Sequence, residues 1–293
     1  MTPPVIRLDP AAVRKTLRDA GMRAQRRFSQ NFLADVEVLE AILAAAAPEP
    51  GRRVLEIGPG LGVLTGGLLV AGARVTAVEI DRDLVAHLRA TFALELAAGA
   101  LELVEGDILD ADLGALVAPP YDVVANLPYH VTSPVLHLLL GGTAGPRPER
   151  CVLMVQREVA ERIAARPGAM SYLSVFVQYH AEPALVRRVP AAAFEPAPAV
   201  ESAVLALDVR PPGAPGRLPP AMEDDLWRLV QAGFRERRKM LHNVLARQLP
   251  VGDRVPGALA AAGIAPDRRP QTLSVDEWLA LREVLGPLPA MKA

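Results

Sequence analysis

A glycine-rich stretch, Glu56-Ile-Gly-Pro-Gly-Leu-Gly62, is the first part of the sequence whose residue types indicate chemistry. It follows a short apolar run at 53–57 and leads into a segment with helical spacing, so it predicts a turn between a strand and a helix. Glycine lets a ligand approach the backbone, and a helix N-terminus offers free N–H groups. Glu79 ends the next apolar run, 21 residues after Gly58, where a carboxylate can accept hydrogen bonds from both ribose hydroxyls. Together these features predict a nucleoside-binding site.

The carboxylate of Glu56 indicates which kind of nucleoside ligand to expect. A dinucleotide fingerprint of the form G-x-G-x-x-G would place glycine at position 63, which is Val63, and would keep the first turn clear for a pyrophosphate. A carboxylate two residues before the first glycine suits a ligand with a positively charged end, such as the amino group and sulfonium of S-adenosylmethionine. A hydride-transfer site is not found in the sequence, which disfavours a nicotinamide dehydrogenase.

Asp107 follows a further apolar run at 101–104. A carboxylate at the end of a parallel strand can accept a hydrogen bond from the exocyclic amine of an adenine. An Asp in this position can equally close an Asx turn or cap a helix.

The tetrapeptide Asn126-Leu-Pro-Tyr129 ends the apolar run 122–125, and ligands of open parallel sheets lie beyond the carboxyl ends of the strands. An amine conjugated into a base is a poor nucleophile because its lone pair is delocalised. An enzyme must therefore accept both N–H protons and turn the lone pair toward a methyl donor. The Asn126 side-chain oxygen and a backbone carbonyl held outward by Pro128 supply two acceptors, and Tyr129 supplies a flat surface for stacking.

The elements that position these residues alternate along the chain. Short runs rich in Val, Ile and Leu predict strands at 53–57, 74–80, 101–104, 122–125, 151–155, 173–180 and 203–209. Segments with helical spacing predict helices at 61–71, 82–96, 134–140 and 158–165. This alternation predicts an α/β domain with a mostly parallel, doubly wound sheet.

A segment rich in proline and glycine, 211–220, predicts a linker, because it contains five prolines and two glycines. The larger domain is then 1–210, including a basic N-terminal arm. Segments with helical spacing follow the linker at 222–234, 237–248, 256–262 and 275–285. They predict a small helical domain over 221–293.

Composition limits the function classes. Hydrophobic residues make up 51% of the 293 residues and charged residues 22%, which excludes wholesale disorder. The lone Cys151 cannot form an internal disulfide, and no run approaches the ~20 apolar residues of a membrane helix. We therefore expect a cytoplasmic protein that neither spans a membrane nor holds a metal.

Charge is segregated along the chain although its net value is −1. Residues 1–31 carry seven basic and two acidic side chains, and residues 227–247 carry six and one. Residues 51–129 carry five basic and eleven acidic side chains. Basic ends suit a protein that holds a polyanion, although solvated helix faces would give the same counts.

The sequence resembles the ribosomal RNA adenine N6,N6-dimethyltransferase family. The matching stretches cover nearly the whole chain in order, at 27–35, 54–62, 77–81, 106–108, 126–129, 156–162, 194–202 and 234–245. The resemblance implies a Rossmann-like class I S-adenosylmethionine-dependent methyltransferase domain followed by a helical RNA-binding domain.

The resemblance also implies which residues form the site. The expected cofactor-binding residues are Asn31, Leu33, Gly58, Gly60, Glu79, Asp107 and Asn126. The expected catalytic residues are Asn126, Leu127, Pro128, Tyr129 and Phe194, the last as the second face of a sandwich around the base.

The expected RNA-binding residues are basic. Arg235, Arg238 and Lys239 are three and four positions apart, so a basic helix at 235–239 would place them on one face. Arg23, Arg26 and Arg27 of the N-terminal arm are the second basic group.

The resemblance implies transfer of methyl groups to N6 of two adjacent adenosines in the 3'-terminal hairpin loop of 16S rRNA, in the 30S particle, by a monomer that contributes to small-subunit biogenesis. The separate helical domain favours this small-subunit branch. One alternative is the macrolide-resistance branch, which methylates 23S rRNA and shares every catalytic motif. Another is a ribosome-assembly factor that binds RNA and whose catalysis is secondary.

Overall fold

The computed structural model describes residues 8–25, 30–142 and 145–288. The chain divides into two compact units. The first comprises residues 1–160 and 183–209, and the second comprises 161–182 and 210–293. The predicted helical domain began at 221, so the second unit differs from it by including 161–182 and the segment 210–220.

The first unit is built on a mostly parallel sheet, as the alternating pattern predicts. The strands are β1 (Phe32–Leu33), β2 (Arg53–Ile57), β3 (Arg74–Glu79), β4 (Leu101–Glu105), β5 (Tyr121–Asn126), β6 (Arg150–Gln156), β7 (Ala181–Val189), β8 (Phe194–Glu195) and β9 (Ser202–Val209). Seven of them form one sheet in the order β4-β3-β2-β5-β6-β9-β7. The neighbours from β4 to β6 are parallel, and β9 is antiparallel to β6.

Helices connect the parallel strands and form most of the second unit. They are α1 (Pro10–Asp19), α2 (Val36–Ala46), α3 (Val63–Val70), α4 (Arg82–Thr91), α5 (Ala93–Ala97), α6 (Leu113–Leu116), α7 (Thr132–Gly141), α8 (Arg157–Ile163), α9 (Tyr172–His180), α10 (Pro220–Phe234), α11 (Leu241–Gln248), α12 (Val255–Ala261) and α13 (Val275–Leu285). None of the helices in the described part of the chain is long and apolar enough to cross a membrane.

The strand order creates a crevice between β2 and β5. The chain leaves β2 toward β3 and β4 on one side and then returns to β5 on the other side. The connections after these two strands therefore diverge at their carboxyl ends, which is where open α/β sheets bind ligands. The glycine loop follows β2, and Asn126 ends β5.

A small antiparallel sheet places the N-terminal segment near this crevice. In it β1 pairs with β8, with Phe32 opposite Glu195 and Leu33 opposite Phe194. The backbone N–H of Ala34 extends the pairing by donating to the carbonyl of Ala193 at 2.8 Å.

The predicted strand at 173–180 is wrong, because this segment is the helix α9. Ser171 and Ser174 form a reciprocal capping box: the Ser171 hydroxyl accepts from the Ser174 N–H at 3.1 Å, and the Ser174 hydroxyl accepts from the Ser171 N–H at 2.9 Å. The β-branched and aromatic composition favoured a strand, but the cap and burial of the helix override that preference. The edge strand β7, which contains Pro183, follows immediately and was not predicted.

The predicted basic helix at 235–239 is also wrong. α10 ends at Phe234, whose ring lies 5.9 Å from that of the buried Trp278, and α11 begins only at Leu241. Between them the chain forms a turn in which the Lys239 N–H donates to the Glu236 carbonyl at 2.9 Å. Residues 235–239 contain no apolar side chain, so a helix there would have no face to bury.

Candidate active site

One cavity in the first unit collects nearly all the predicted catalytic and cofactor-binding residues. Its lining includes Asn31, Leu33, Gly58, Gly60, Glu79, Asp107, Asn126, Leu127, Pro128 and Tyr129. These residues come from five separate segments of the sequence, and the carboxyl ends of β2, β3, β4 and β5 bring them together with β1.

The glycine loop leaves room for a ligand beside the backbone. Gly58 has φ +67°, and a side-chain carbon built on it would meet nothing within 4 Å. Gly60 has φ +60°, and the same carbon would lie 3.3 Å from the Phe32 ring. Any larger residue at these positions would be strained, and at Gly58 its side chain would also enter free space beside the loop.

Glu79 is oriented by the loop it faces. One carboxylate oxygen accepts from the Gly60 N–H at 3.1 Å, and the other accepts from the Asp81 N–H at 3.0 Å. Burial raises the pKa of Glu79, and these two backbone hydrogen bonds oppose that rise. The remaining lone pairs of a carboxylate held in this way can accept the two hydroxyls of a ribose.

The Glu56 side chain is more deeply buried than the sequence suggests. Its side chain lines the cavity but is only 1% exposed, and its Oε2 accepts from the Thr65 hydroxyl at 2.7 Å. Burial raises the pKa of Glu56 to about 8, and the neighbouring Glu79 adds to the effect. The carboxyl group is therefore mostly protonated at pH 7, and a cation that enters the cavity would favour its ionised form.

Asp107 performs the cap expected of an Asp at this position and still lines the cavity. Its Oδ1 accepts from the Leu109 N–H at 2.9 Å. The other carboxylate oxygen can accept from an adenine amine, so the two interpretations of Asp107 are compatible.

The Asn126 amide is fixed by the N-terminal segment. Its Nδ2 donates to the backbone carbonyl of Asn31 at 3.3 Å. This contact commits the amide nitrogen to the protein, which leaves the amide oxygen as the acceptor for a ligand group.

The other residues of the tetrapeptide, Leu127, Pro128 and Tyr129, line the same cavity. The Leu127 N–H donates to the Met154 carbonyl at 3.1 Å, which ties the backbone to β6. The Pro128 carbonyl accepts from the Val131 N–H at 3.1 Å, which makes the Leu127 carbonyl the candidate for the second acceptor. The Tyr129 ring is half-buried, and its hydroxyl lies 2.7 Å from the Ser202 hydroxyl.

Phe194 is the one predicted catalytic residue that the structure does not bring to the cavity. It is 2% exposed, belongs to the main hydrophobic core and pairs across the small sheet with Leu33. Phe194 thus lies next to the segment that carries Asn31 and Leu33, and its role as the second face of the base sandwich stays a prediction.

The predicted RNA-binding residues are distributed over both units. Arg23 is exposed in the first unit, and Arg26 and Arg27 lie outside the described residues. Arg238 and Lys239 are exposed in the turn after α10, and Arg235 donates to the Gln248 side chain at 2.6 Å.

The structure also shows residues in the cavity lining or in contact with it that the sequence alone did not single out. Ile80 lines the cavity although it is 44% exposed, so it adds an apolar surface beside Glu79. The position of Ile80 directly after Glu79 is the sequence signal that could have indicated this residue. Ser202 was visible only as the last residue of the matching stretch 194–202, and its contact with Tyr129 requires the fold.

The seven-stranded, mostly parallel sheet, with a glycine loop and a cavity at its switch point, is the architecture of class I methyltransferases. The sequence profile of the family described as ribosomal RNA adenine dimethylase matches residues 21–286. This chain belongs to the ribosomal RNA adenine dimethylase family and is a methyltransferase.

Relatives match over almost the whole chain. The ribosomal RNA small subunit methyltransferase A of Thermosynechococcus vestitus is 45% identical over 274 residues, covering 91% of this chain and 98% of the relative. The protein of the same name from Anaeromyxobacter sp. strain K is 46% identical over 277 residues, covering 90% and 94%.

Two solved structures share the fold. The 23S rRNA methyltransferase ErmE is 30% identical with a TM-score of 0.67, covering 87% of this chain and 99% of its own. A dimethyladenosine transferase from Plasmodium falciparum is 26% identical with a TM-score of 0.71, covering 85% and 95%.

Proposed function

We propose that this protein transfers methyl groups from S-adenosylmethionine to N6 of two adjacent adenosines in the 3'-terminal hairpin loop of 16S rRNA, within the 30S particle. The observation that carries the proposal is the placement of Asn126 and Tyr129 on the same cavity as Glu79 and Asp107. Acceptors for a target amine and acceptors for a nucleoside cofactor thus lie side by side.

The cofactor half of the cavity fits S-adenosylmethionine, which supplies an electrophilic methyl group when bound. Glu79 accepts hydrogen bonds from the ribose hydroxyls, and Asp107 accepts one from the adenine amine. Ile80 covers the adenine ring. Gly58 leaves the space beside the loop that the ligand needs. Glu56 faces the positively charged end and is stabilised as a carboxylate by it.

The target half of the cavity directs the lone pair of the adenine amine. The Asn126 amide oxygen and the Leu127 carbonyl accept the two N–H groups, so the nitrogen lone pair points toward the methyl donor. Tyr129 stacks on the base and fixes its plane. The S–CH3 bond of the donor would break as the new N–C bond forms, which would leave S-adenosylhomocysteine, and the methylated amine would release its proton to water. A deprotonated general base is not required, because the amine becomes acidic only as the N–C bond forms.

The relatives favour small-subunit RNA over large-subunit RNA. The proteins named as small-subunit methyltransferases are 41–46% identical to this chain in several bacteria, whereas the 23S rRNA enzyme ErmE is 30% identical. We propose that the exposed Arg23, Arg238 and Lys239 contact RNA phosphates, together with Arg235. We also propose that the enzyme acts as a monomer in the cytoplasm and participates in small-subunit biogenesis.

The experiment that tests this function supplies labelled methyl groups to purified subunits. The 30S and 50S particles are taken from a strain that lacks the modification, and the modified nucleosides are identified by mass spectrometry. We expect N6,N6-dimethyladenosine in 30S particles only. Labelling of 50S particles would support the large-subunit alternative, and RNA binding without methyl incorporation would support the assembly-factor alternative.

A further inference from the structure

The carboxylate of Asp81 joins the N-terminal segment to the start of α4, two parts of the first unit that lie apart in the sequence. Its side chain is almost fully buried, with 4% of the residue exposed. Oδ2 accepts from the side-chain amides of Gln25 at 2.9 Å and Gln30 at 2.8 Å, and Oδ1 accepts from the Asp83 N–H at 3.1 Å. We call the contact between Asp81 and the two glutamines the clasp.

The clasp also holds Gln25 and Gln30 of the N-terminal segment next to each other. The Gln30 amide oxygen accepts from the Gln25 N–H at 2.8 Å while its amide nitrogen donates to Asp81. Both the oxygen and the nitrogen of the Gln30 side-chain amide therefore have hydrogen-bond partners. These contacts fix the position of Gln30 and the direction of the backbone that follows it. That backbone is Asn31, whose carbonyl accepts from the Asn126 amide.

The other side of Asp81 reaches the cofactor-binding carboxylate. The Asp81 N–H donates to Glu79 at 3.0 Å, and the Asp81 side chain caps α4. A single residue thus contacts Glu79 through its backbone and holds the segment that ends at Asn31 through its side chain.

We infer that Asp81 is a positioning residue that aligns the cofactor-binding and amine-binding halves of the site by clasping Gln25 and Gln30. Asp81 does not line the main cavity among the described residues and acts only through Gln30, Asn31 and Glu79. The inference rests on the proposed function for the identity of the cofactor.

Substitution of the carboxylate by an amide tests the clasp because it changes the hydrogen-bonding capacity with little change in shape. Asp81→Asn has one oxygen for donors on two sides, so either the glutamines or the Asp83 N–H loses its acceptor. Loss of charged hydrogen bonds of this kind weakens a site by about tenfold or more. We expect about tenfold weaker S-adenosylmethionine binding by calorimetry and a lower kcat for RNA methylation at saturating cofactor.

Three further variants separate the clasp from folding and from local charge. Gln30→Met removes the Gln30 half of the clasp and leaves the Gln25 contact and the α4 cap, so it should weaken cofactor binding, by a factor no larger than in Asp81→Asn. Asp83→Asn removes an exposed carboxylate two residues away and should bind the cofactor like the wild type. The pair Asp81→Asn with Gln30→Glu places an amide N–H against a carboxylate again and should recover most of the affinity.

Hydrogen–deuterium exchange of a peptide covering residues 30–35 supplies a readout that does not depend on RNA. We expect faster exchange in Asp81→Asn and Gln30→Met, and wild-type exchange in Asp83→Asn. Wild-type affinity and exchange in both clasp variants would overturn the inference, as would an equal loss in Asp83→Asn. If the wild-type protein itself failed to bind S-adenosylmethionine, the proposed function would fail instead.

Discussion

The Tyr129 hydroxyl lies 2.7 Å from the hydroxyl of Ser202, a residue with no exposed surface at the start of β9. This contact joins the tetrapeptide 126–129 at the end of β5 to the matching stretch 194–202. Burial raises the pKa of Tyr129, so the hydroxyl remains protonated and can share a hydrogen bond with Ser202 at neutral pH. The edge of the ring is thereby tethered, which restricts the plane on which a base can stack.

The two hydroxyls should act as one unit in catalysis. Tyr129→Phe and Ser202→Ala each remove the same hydrogen bond, worth about 0.5–1.5 kcal/mol, so each should slow methyl transfer by roughly 2- to 10-fold. The double variant should be no slower than the slower single variant, because residues that share one interaction are not additive. Single-turnover rates on 30S particles measure this. Fully additive losses would show that the two hydroxyls act independently.

Removal of the ribose acceptor should affect the cofactor rather than the fold. Glu79→Ala removes a carboxylate that accepts hydrogen bonds, which should weaken S-adenosylmethionine binding by about 1.5–3 kcal/mol in calorimetry. Glu102→Ala, an exposed glutamate on the neighbouring strand β4, is the matched control and should bind normally. Unchanged binding in Glu79→Ala would mean that the ribose is held elsewhere.

Glu56 should make stability depend on pH. Its pKa rises from an ordinary 4.5 to about 8 in the folded protein, so the folded state binds more protons than the unfolded state between these values. The free energy of unfolding should therefore fall as pH rises from 5 to 8, by at most about 1.4 kcal/mol per pH unit from this group.

The variant Glu56→Gln isolates that contribution, because an amide keeps the shape and cannot ionise. Denaturant unfolding of both proteins at several pH values should show a smaller decline for Glu56→Gln over this range. Parallel curves for the two proteins would contradict a protonated Glu56.

The basic turn after α10 should contribute to the salt dependence of RNA binding. Removal of one basic group that binds a phosphate lowers the slope of log affinity against log salt by roughly 0.7–0.9. Replacement of Arg235, Arg238 and Lys239 by Gln should flatten the slope accordingly and leave S-adenosylmethionine affinity unchanged. Arg89→Gln, an exposed basic position on α4, is the control. An unaltered slope would leave the N-terminal arm as the basic candidate.

The parallel sheet and the cavity lining could be predicted because their signals are local. The run at 53–57 forms a strand with those same bounds, and Asn126 ends β5 because a buried apolar run stops there. The glycine loop required only a strand before it and a helix after it. These features depend on residues that are neighbours in the sequence.

Features that depend on contacts between distant residues could not be predicted from local sequence preferences. α9 contains strand-favouring residues, yet a two-serine cap and burial make it helical. The pairing of Phe194 with Leu33 and its place in the core depend on the fold, and its role as the second face of the base sandwich stays a prediction. The hydrogen bond from Asn126 to Asn31 spans 95 positions, and no local pattern reports it.

The central claim is that the Asn126 side chain accepts a hydrogen bond from the target amine during methyl transfer. Single-turnover methylation of unmodified 30S particles by Asn126→Ala tests this claim most directly. Cofactor affinity and the unfolding midpoint are measured beside the rate, so that loss of binding or folding is separated from loss of chemistry. We predict a rate at least ~100-fold below wild type at saturating cofactor, as expected for removal of one preorganised polar group. A rate near that of the wild type would contradict the proposed role of Asn126.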